Sequence, residues 1–420
     1  VTTHSDEYLS ARLPALDLAH LAVSRFAAAA DGLRAAVGLP VSPYRPAPDR
    51  IAASFSGDRM FRRDGQPVEG FAELSGFFAT ADGWVRTHAN YPHHRARLLT
   101  ALALPDDTTR ASFARRVAEL SATDIEDTAA AAGAIAVRVR SEREWASSEP
   151  GIAAAAGDMV GVRVRRDHGP AAPTATPSAP LSGVRVLDLT RVIAGPVASR
   201  SLALLGADVL RIDPPQLPEI EWQHLENGQG KRSALLDLRN PQGLATFRDL
   251  VSGADVLLTG YRPGAIEALV GDLSEVRPGL VRGRVCAWGH AGPWAGRRGF
   301  DSIVQAASGI ALIEGDGRPG PLPAQVLDHA SGYLLAAGVL DALTGRLADG
   351  AGRDIDVSLA RTASSLLDAP GRREAARAAQ LPGPDTVVSH GGITTARPVL
   401  AGFDDYPFPA RTWGADEPRW

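Results

Sequence analysis

Cysteine is all but missing. A single Cys286 in 420 residues excludes an internal disulfide framework and any clustered cysteine metal site. It sits in the apolar run Leu280–Trp288 and reads as a buried core thiol. Lysine is as scarce: Lys231 is the sole lysine among 44 basic residues, so arginine carries the positive charge. No apolar run approaches the ~20 residues needed to cross a bilayer. Thr2–Glu7 is polar and acidic, without the basic-then-apolar order of a signal peptide. A cytoplasmic location and no membrane partner are the expectation. A formal charge of −4 with no long basic tract gives no pull toward nucleic acid. The chain also lacks GxxxxGK[ST] and GxSxG motifs, and its GxGxxG match, Gly315–Gly320 (GDGRPG), does not follow a strand of the α/β region, which removes the usual signatures of hydride transfer, nucleotide hydrolysis and serine hydrolysis. His20, His93 and His94 have no third partner at metal-ligand spacing. They read as surface or core histidines, and no metal and no permanently bound cofactor are expected.

What remains is an ordinary globular composition, 45% hydrophobic and 22% charged, long enough for two or more domains. Asp167–Pro180 (DHGPAAPTATPSAP) reads as an extended linker. It divides the chain into residues 1–166, a smaller α+β region; 181–368, an α/β region; and 369–420, a Pro/Gly/Arg-rich tail of little periodicity expected to pack on another domain. In the second region Val184–Leu189, Ala207–Ile212, Ala254–Leu258 and Val281–Trp288 read as buried strands. Helical spacing lies between them: Pro196 starts one helix, Gly206 closes it, and Asn240 caps another. This alternation predicts a doubly wound, Rossmann-like parallel sheet. Ligands in such sheets lie beyond the carboxyl ends of the strands.

The segments after the strands hold a consistent set of groups. Arg191 and Ala194–Gly195–Pro196 follow the first strand, with free N–H groups at a helix start suited to an anion. Arg239, Tyr261, Arg262, Arg297, Arg298 and Phe300 follow later. Arginines converging on strand ends suit a phosphorylated coenzyme. Leu322–Gly332 (LPAQVLDHASG) sets one carboxylate, Asp328, before an apolar helix over Ala330–Arg346, where it reads as an N-cap or as a nucleophile held ionised by the helix start. Asp301 reads as a turn residue or a ligand contact.

Five ordered blocks resemble the class III CoA-transferase family, which contains formyl-CoA transferase and carnitine CoA-transferase: GVRVLDLTRVIAGP with LGADVLRID, GKRSALLDL, ADVLLTGYRPGA, GFDSIVQAASG and LDHASG, spread over Gly183–Asp368. The resemblance implies that Asp328 is the nucleophile and that Ile193 and Ala194, Leu236–Arg239, Gly260–Arg262 and the Arg298–Asp301 turn contact CoA. It implies transfer of CoA from an acyl-CoA donor to a carboxylic acid acceptor, with CoA as a substrate carrier and a homodimer as the assembly. Three departures qualify it. Ile193 stands where formyl-CoA transferase has Gln, implying a less polar acyl group. Phe300 stands where the related α-methylacyl-CoA racemases have His, which disfavours two-base racemisation. Asp82–Leu102 and Ser121–Trp145 resemble the family's small domain but precede the large one. No run of three glycines exists, only Gly391–Gly392, so the family's glycine-rich loop is not evident. The alternatives are an acyl-CoA isomerase and a homologue that binds acyl-CoA without catalysis.

Overall fold

The computed structural model describes residues 8–40, 44–170, 176 and 179–420. Most of the central Pro/Ala run and the acidic Thr2–Glu7 stretch lie outside them. Alternating apolar and polar residues in the N-terminal region form a small antiparallel sheet, β1 (Gly76–Ala79), β2 (Trp84–Thr87) and β3 (Ala136–Arg138), in that order. Leu74, Phe78, Val85, Leu98, Phe113 and Ile125 form its own core.

The main sheet has seven strands: β4 (Gly161–His168), β5 (Arg185–Leu189), β6 (Asp208–Asp213), β7 (Lys231–Leu235), β8 (Val256–Thr259), β9 (Val281–Cys286) and β10 (Ala351–Ser358), ordered β4-β10-β9-β8-β5-β6-β7. Strands β5 to β10 are parallel and β4 is an antiparallel edge. The chain runs outward through β5, β6 and β7, then returns to place β8 beside β5, with Leu189 opposite Thr259. That reversal opens a crevice beyond the ends of β5 and β8, where doubly wound sheets bind ligands.

Four helices matter for the site: α1 (Ala15–Ala36), α2 (Ala194–Leu204), α3 (Asp301–Ser308) and α4 (Val326–Asp349). Apolar on most sides, α4 is buried over nearly its whole length, as a helix hydrophobic all round must be. It packs against α1, α2 and β10. Gly332 makes the approach of α2 possible, since a Cβ there would lie 2.5 Å from the Ala194 carbonyl oxygen.

The division at 166 is a boundary of composition and not of packing. Helix α1, from the first region, lies on α4 in the main core, because its Ala-, Leu- and Phe-rich face matches that apolar helix. Strand β4 runs into the linker through Asp167 and His168 and pairs along Ala351–Asp356. There Arg165 meets Asp354. The tail is tied to both halves. Its hairpin Val387–His390/Ile393–Ala396 pairs with Arg62–Arg63, and Trp420 Nε1 donates to the Leu250 carbonyl at 2.7 Å. Among the described residues no helix is long and apolar enough to cross a membrane.

Candidate active site

Two helix starts bring two carboxyls together. Helix α4 begins at Val326, so Asp328 stands in its first turn and is not its cap; Gln325 precedes the helix without a side-chain cap. The buried apolar run Val326–Leu327 extends the helix beyond the start read from sequence. The Asp328 carboxyl makes no hydrogen bond to the described residues and faces a cavity of about 440 Å³. The helix start does not hold it ionised, because the Leu327 and Asp328 N–H groups go to Asp301.

Asp301 opens α3 and is wholly buried. One of its carboxyl oxygens accepts the Asp328 N–H at 2.9 Å and the other accepts Gln305 Nε2. Gln305 Oε1 in turn accepts the Leu322 N–H at 2.9 Å. Asp301 therefore anchors the turn that carries Asp328. Burial pushes Asp301 up to about 6. Burial, then the Asp301 charge, pushes Asp328 well above the usual carboxylate range, as expected of two close carboxyls sharing a site. Arg86 opposes the rise at Asp301. Its buried guanidinium lies between the Phe71 and Phe77 rings, 4.9 and 5.1 Å from their centroids.

The turn after β5 is held from beneath. Buried Asp188 accepts the Thr190 N–H at 2.8 Å and the Ser199 hydroxyl. Lys231 Nζ lies 2.8 Å from Ser199 Oγ and 3.2 Å from the Pro196 carbonyl oxygen. Burial pulls this lysine down to about 7. Val192 adopts φ +70°, a costly conformation for a β-branched residue. Its N–H donates to Glu219 at 3.2 Å, and Glu219 also accepts Tyr91 Oη and Arg211. Burial would raise Glu219, but Arg211 and Arg191 outweigh it and hold the carboxyl down at about 2. Gly195 lets the turn close, since a Cβ there would lie 2.1 Å from Thr190 Cβ. Ala194 and Gly195 line the cavity, and their first-turn amides have no intrahelical acceptor. Such amides can receive an anion or an oxyanion.

The mouth is cationic. Exposed Arg97 and Arg262 line it, and their side chains form no hydrogen bond or ion pair with the described residues. Arg298 donates only to the Gly133 carbonyl, at 3.1 Å. Burial, then the charges of Arg262 and Arg97, lower its pKa. Arg191 is paired with Glu219 at 3.4 Å and Arg297 with Glu126 at 3.5 Å. Unrelieved repulsion among guanidinium groups marks a place prepared for a polyanion.

Of the residues expected at the site, Asp328, Arg191, Ala194, Tyr261, Arg262, Arg298 and Phe300 line this one cavity. Three do not. Ile193 is the residue before α2 and is buried behind the lining. Arg239 is drawn to Asp237 at 2.8 Å, two residues away on the same exposed turn. Asp301 lies behind Asp328. Three residues not expected at the site also reach it. His93 and His94 line the cavity, with Tyr91 and Arg97 from the same helix start, Pro92–Ala101. Cys286 is also in the wall, and burial pushes its thiol up to about 12. Burial lowers His94 to about 3. His88 stacks on Phe300 with centroids 3.8 Å apart. The one sequence sign of this wall is the spacing of His93, His94 and Arg97, one helical turn on a shared face. Gly391–Gly392 forms the turn of the tail hairpin and does not line the cavity. Among the described residues no group of three or more side chains gathers as a metal site.

Residues 181–387 match the family described as CoA-transferase family III. A probable fatty acyl-CoA transferase of Mycobacterium tuberculosis is 35% identical over 212 residues, covering 46% of this chain and 54% of that protein. A succinate–glutarate CoA-transferase of Agrobacterium fabrum is 34% identical over 211 residues, covering 45% and 53%. A crystal structure of a CAIB/BAIF family protein from Brucella suis is 29% identical, covers 46% of this chain and 56% of that one, and has a TM-score of 0.42. The chain thus spans about half the length of the curated relatives it matches.

Proposed function

We propose, from the match of residues 181–387 to CoA-transferase family III, that the chain moves CoA from an acyl-CoA thioester to a free carboxylic acid, with Asp328 as nucleophile. The observation that carries this reading is the unbonded Asp328 carboxyl at the floor of a cavity whose mouth is lined by arginines. The ionised Asp328 oxygen attacks the thioester carbonyl carbon, the C–S bond breaks, and CoA thiolate leaves an acyl-aspartyl anhydride. The thiolate then attacks the aspartyl carbonyl, giving an aspartyl-CoA thioester and releasing the donor acid. The acceptor carboxylate takes the aspartyl group in a second anhydride, and CoA thiolate leaves with the new acyl group. The amides of Ala194 and Gly195 are suited to hold the oxyanions, and Arg97, Arg262 and Arg298 the phosphates of CoA. Tyr91, His93, His94 and Arg97 supply in the same chain the wall facing the sheet. A homodimer is part of this proposal.

Incubation with an acyl-CoA, then hydroxylamine, should leave a hydroxamate on the peptide containing Asp328, visible by mass spectrometry and lost in Asp328→Asn. Tight CoA binding without any adduct over a broad panel of acyl-CoAs would make the chain a binding homologue. One observation favours a second reading, isomerisation: a carboxyl with a raised pKa suits proton transfer. Exchange of the substrate α-proton without an adduct would establish it in place of transfer.

A further inference from the structure

The two ends of the cavity differ in the charges that reach them. Arg97 and Arg262 act on Arg298, and Arg97, Arg191 and Arg298 act on His93 and His94. None of them acts on Asp328, whose charged neighbour is Asp301 alone. Arg86, a buried cation, acts on Asp301 and does not line the cavity.

The lining next to Asp328 is apolar. Phe300 immediately precedes Asp301, which is bonded to the Asp328 amide. The Ala194 carbonyl lies against Gly332, one turn along α4. The helix Leu359–Asp368, whose first residue lines the cavity, is fixed nearby by the 2.8 Å contact of Thr362 with Ser331. Polar groups in the wall offer hydrogen bonds without positive charge. Burial keeps His94 neutral at pH 7, and Tyr91 Oη is committed to Glu219.

A second carboxylate brought to this floor would lose its water and meet no cation. The guanidinium groups that could have served it stand at the exposed mouth, where the phosphates of CoA arrive. Resting on the transfer reading above, we infer that the acyl group delivered to Asp328 and the acid that accepts CoA are monocarboxylic, aliphatic or aryl, with no charge beyond the reacting carboxyl. Ile193 does not line the cavity, whereas Val192, Ala194, Phe300 and Leu359 do and set this preference.

The test compares acyl-CoAs of matched length on the full chain: hexanoyl- and benzoyl-CoA against succinyl- and glutaryl-CoA. Both the rate of Asp328 acylation, trapped with hydroxylamine, and kcat/KM for transfer to the corresponding acids are read. The uncharged acyl groups should be favoured by at least about 30-fold. If succinyl- or glutaryl-CoA reacts as fast as hexanoyl-CoA or faster, the inference is overturned and transfer through Asp328 stands. If no thioester of either kind acylates Asp328, the transfer reading falls and this inference with it.

Discussion

The mouth and the floor of the cavity solve opposite electrostatic problems. At the mouth, Arg97 and Arg262 stay exposed, where water makes unpaired positive charge tolerable until a polyanion arrives. At the floor, Asp328 and Asp301 are buried together, so a negative charge there is costly and finely adjustable. The comparison teaches that binding and reactivity are set in different media within a few residues of each other. Affinity for the coenzyme should follow the mouth and salt; the reacting group should follow the floor and pH.

Breaking the floor has the largest expected effect. Asp328→Asn should lower transfer by roughly 10⁴-fold or more while CoA binding, followed by titration calorimetry, changes little. Asp301→Asn comes next. It keeps an oxygen to accept the Asp328 N–H but removes the charge that raises Asp328. Because the nucleophile must be ionised, the acid limb of the rate profile should move to lower pH. An unmoved limb would show that Asp301 does not govern Asp328. At the mouth, Arg298→Ala should raise KM for acyl-CoA by roughly tenfold with kcat nearly unchanged, and added salt should narrow the difference.

The smallest effect concerns the support under the mouth. The folded pKa of Lys231, about 7, lies below the ordinary 10.5, so between these values the unfolded chain holds more protons. Stability should therefore rise with pH across that window, with a slope of up to ~1.4 kcal/mol per pH unit from this group. Below about 7 its contribution is flat. Denaturation across pH should show the rise in the native protein and a flatter curve in Lys231→Met.

Strands β5, β6, β8 and β9 were legible in the sequence because mostly apolar runs alternate there with helix signals, whereas β7, Lys231–Leu235, opens on two charged residues. Strand β4 was not legible, because its alternating Val–Arg pattern precedes the linker and finds its partner Asp354 almost two hundred residues later. The mouth was partly legible: arginines after strands mark it, but an arginine beside its own carboxylate, as Arg239 is beside Asp237, looks the same until the pair is seen. Asp328 could be placed at a helix start from its neighbours alone. Its freedom from hydrogen bonds, and the role of Asp301 behind it, required the tertiary meeting of α3 and α4. His93 and His94 lacked a metal-like third partner, and their wall exists only because the small sheet folds against the large one.

Lys231 carries one more chemical consequence. Thioesters and mixed anhydrides acylate amines without enzymatic help, and exposed lysines are the usual casualties in a protein that handles them. This chain has one lysine, sealed 2% exposed beneath the turn after β5, while guanidinium groups, far poorer nucleophiles at neutral pH, do the electrostatic work at the surface. Under the proposed transfer, a chain built this way presents no exposed lysine amine on which reactive acyl intermediates would be wasted.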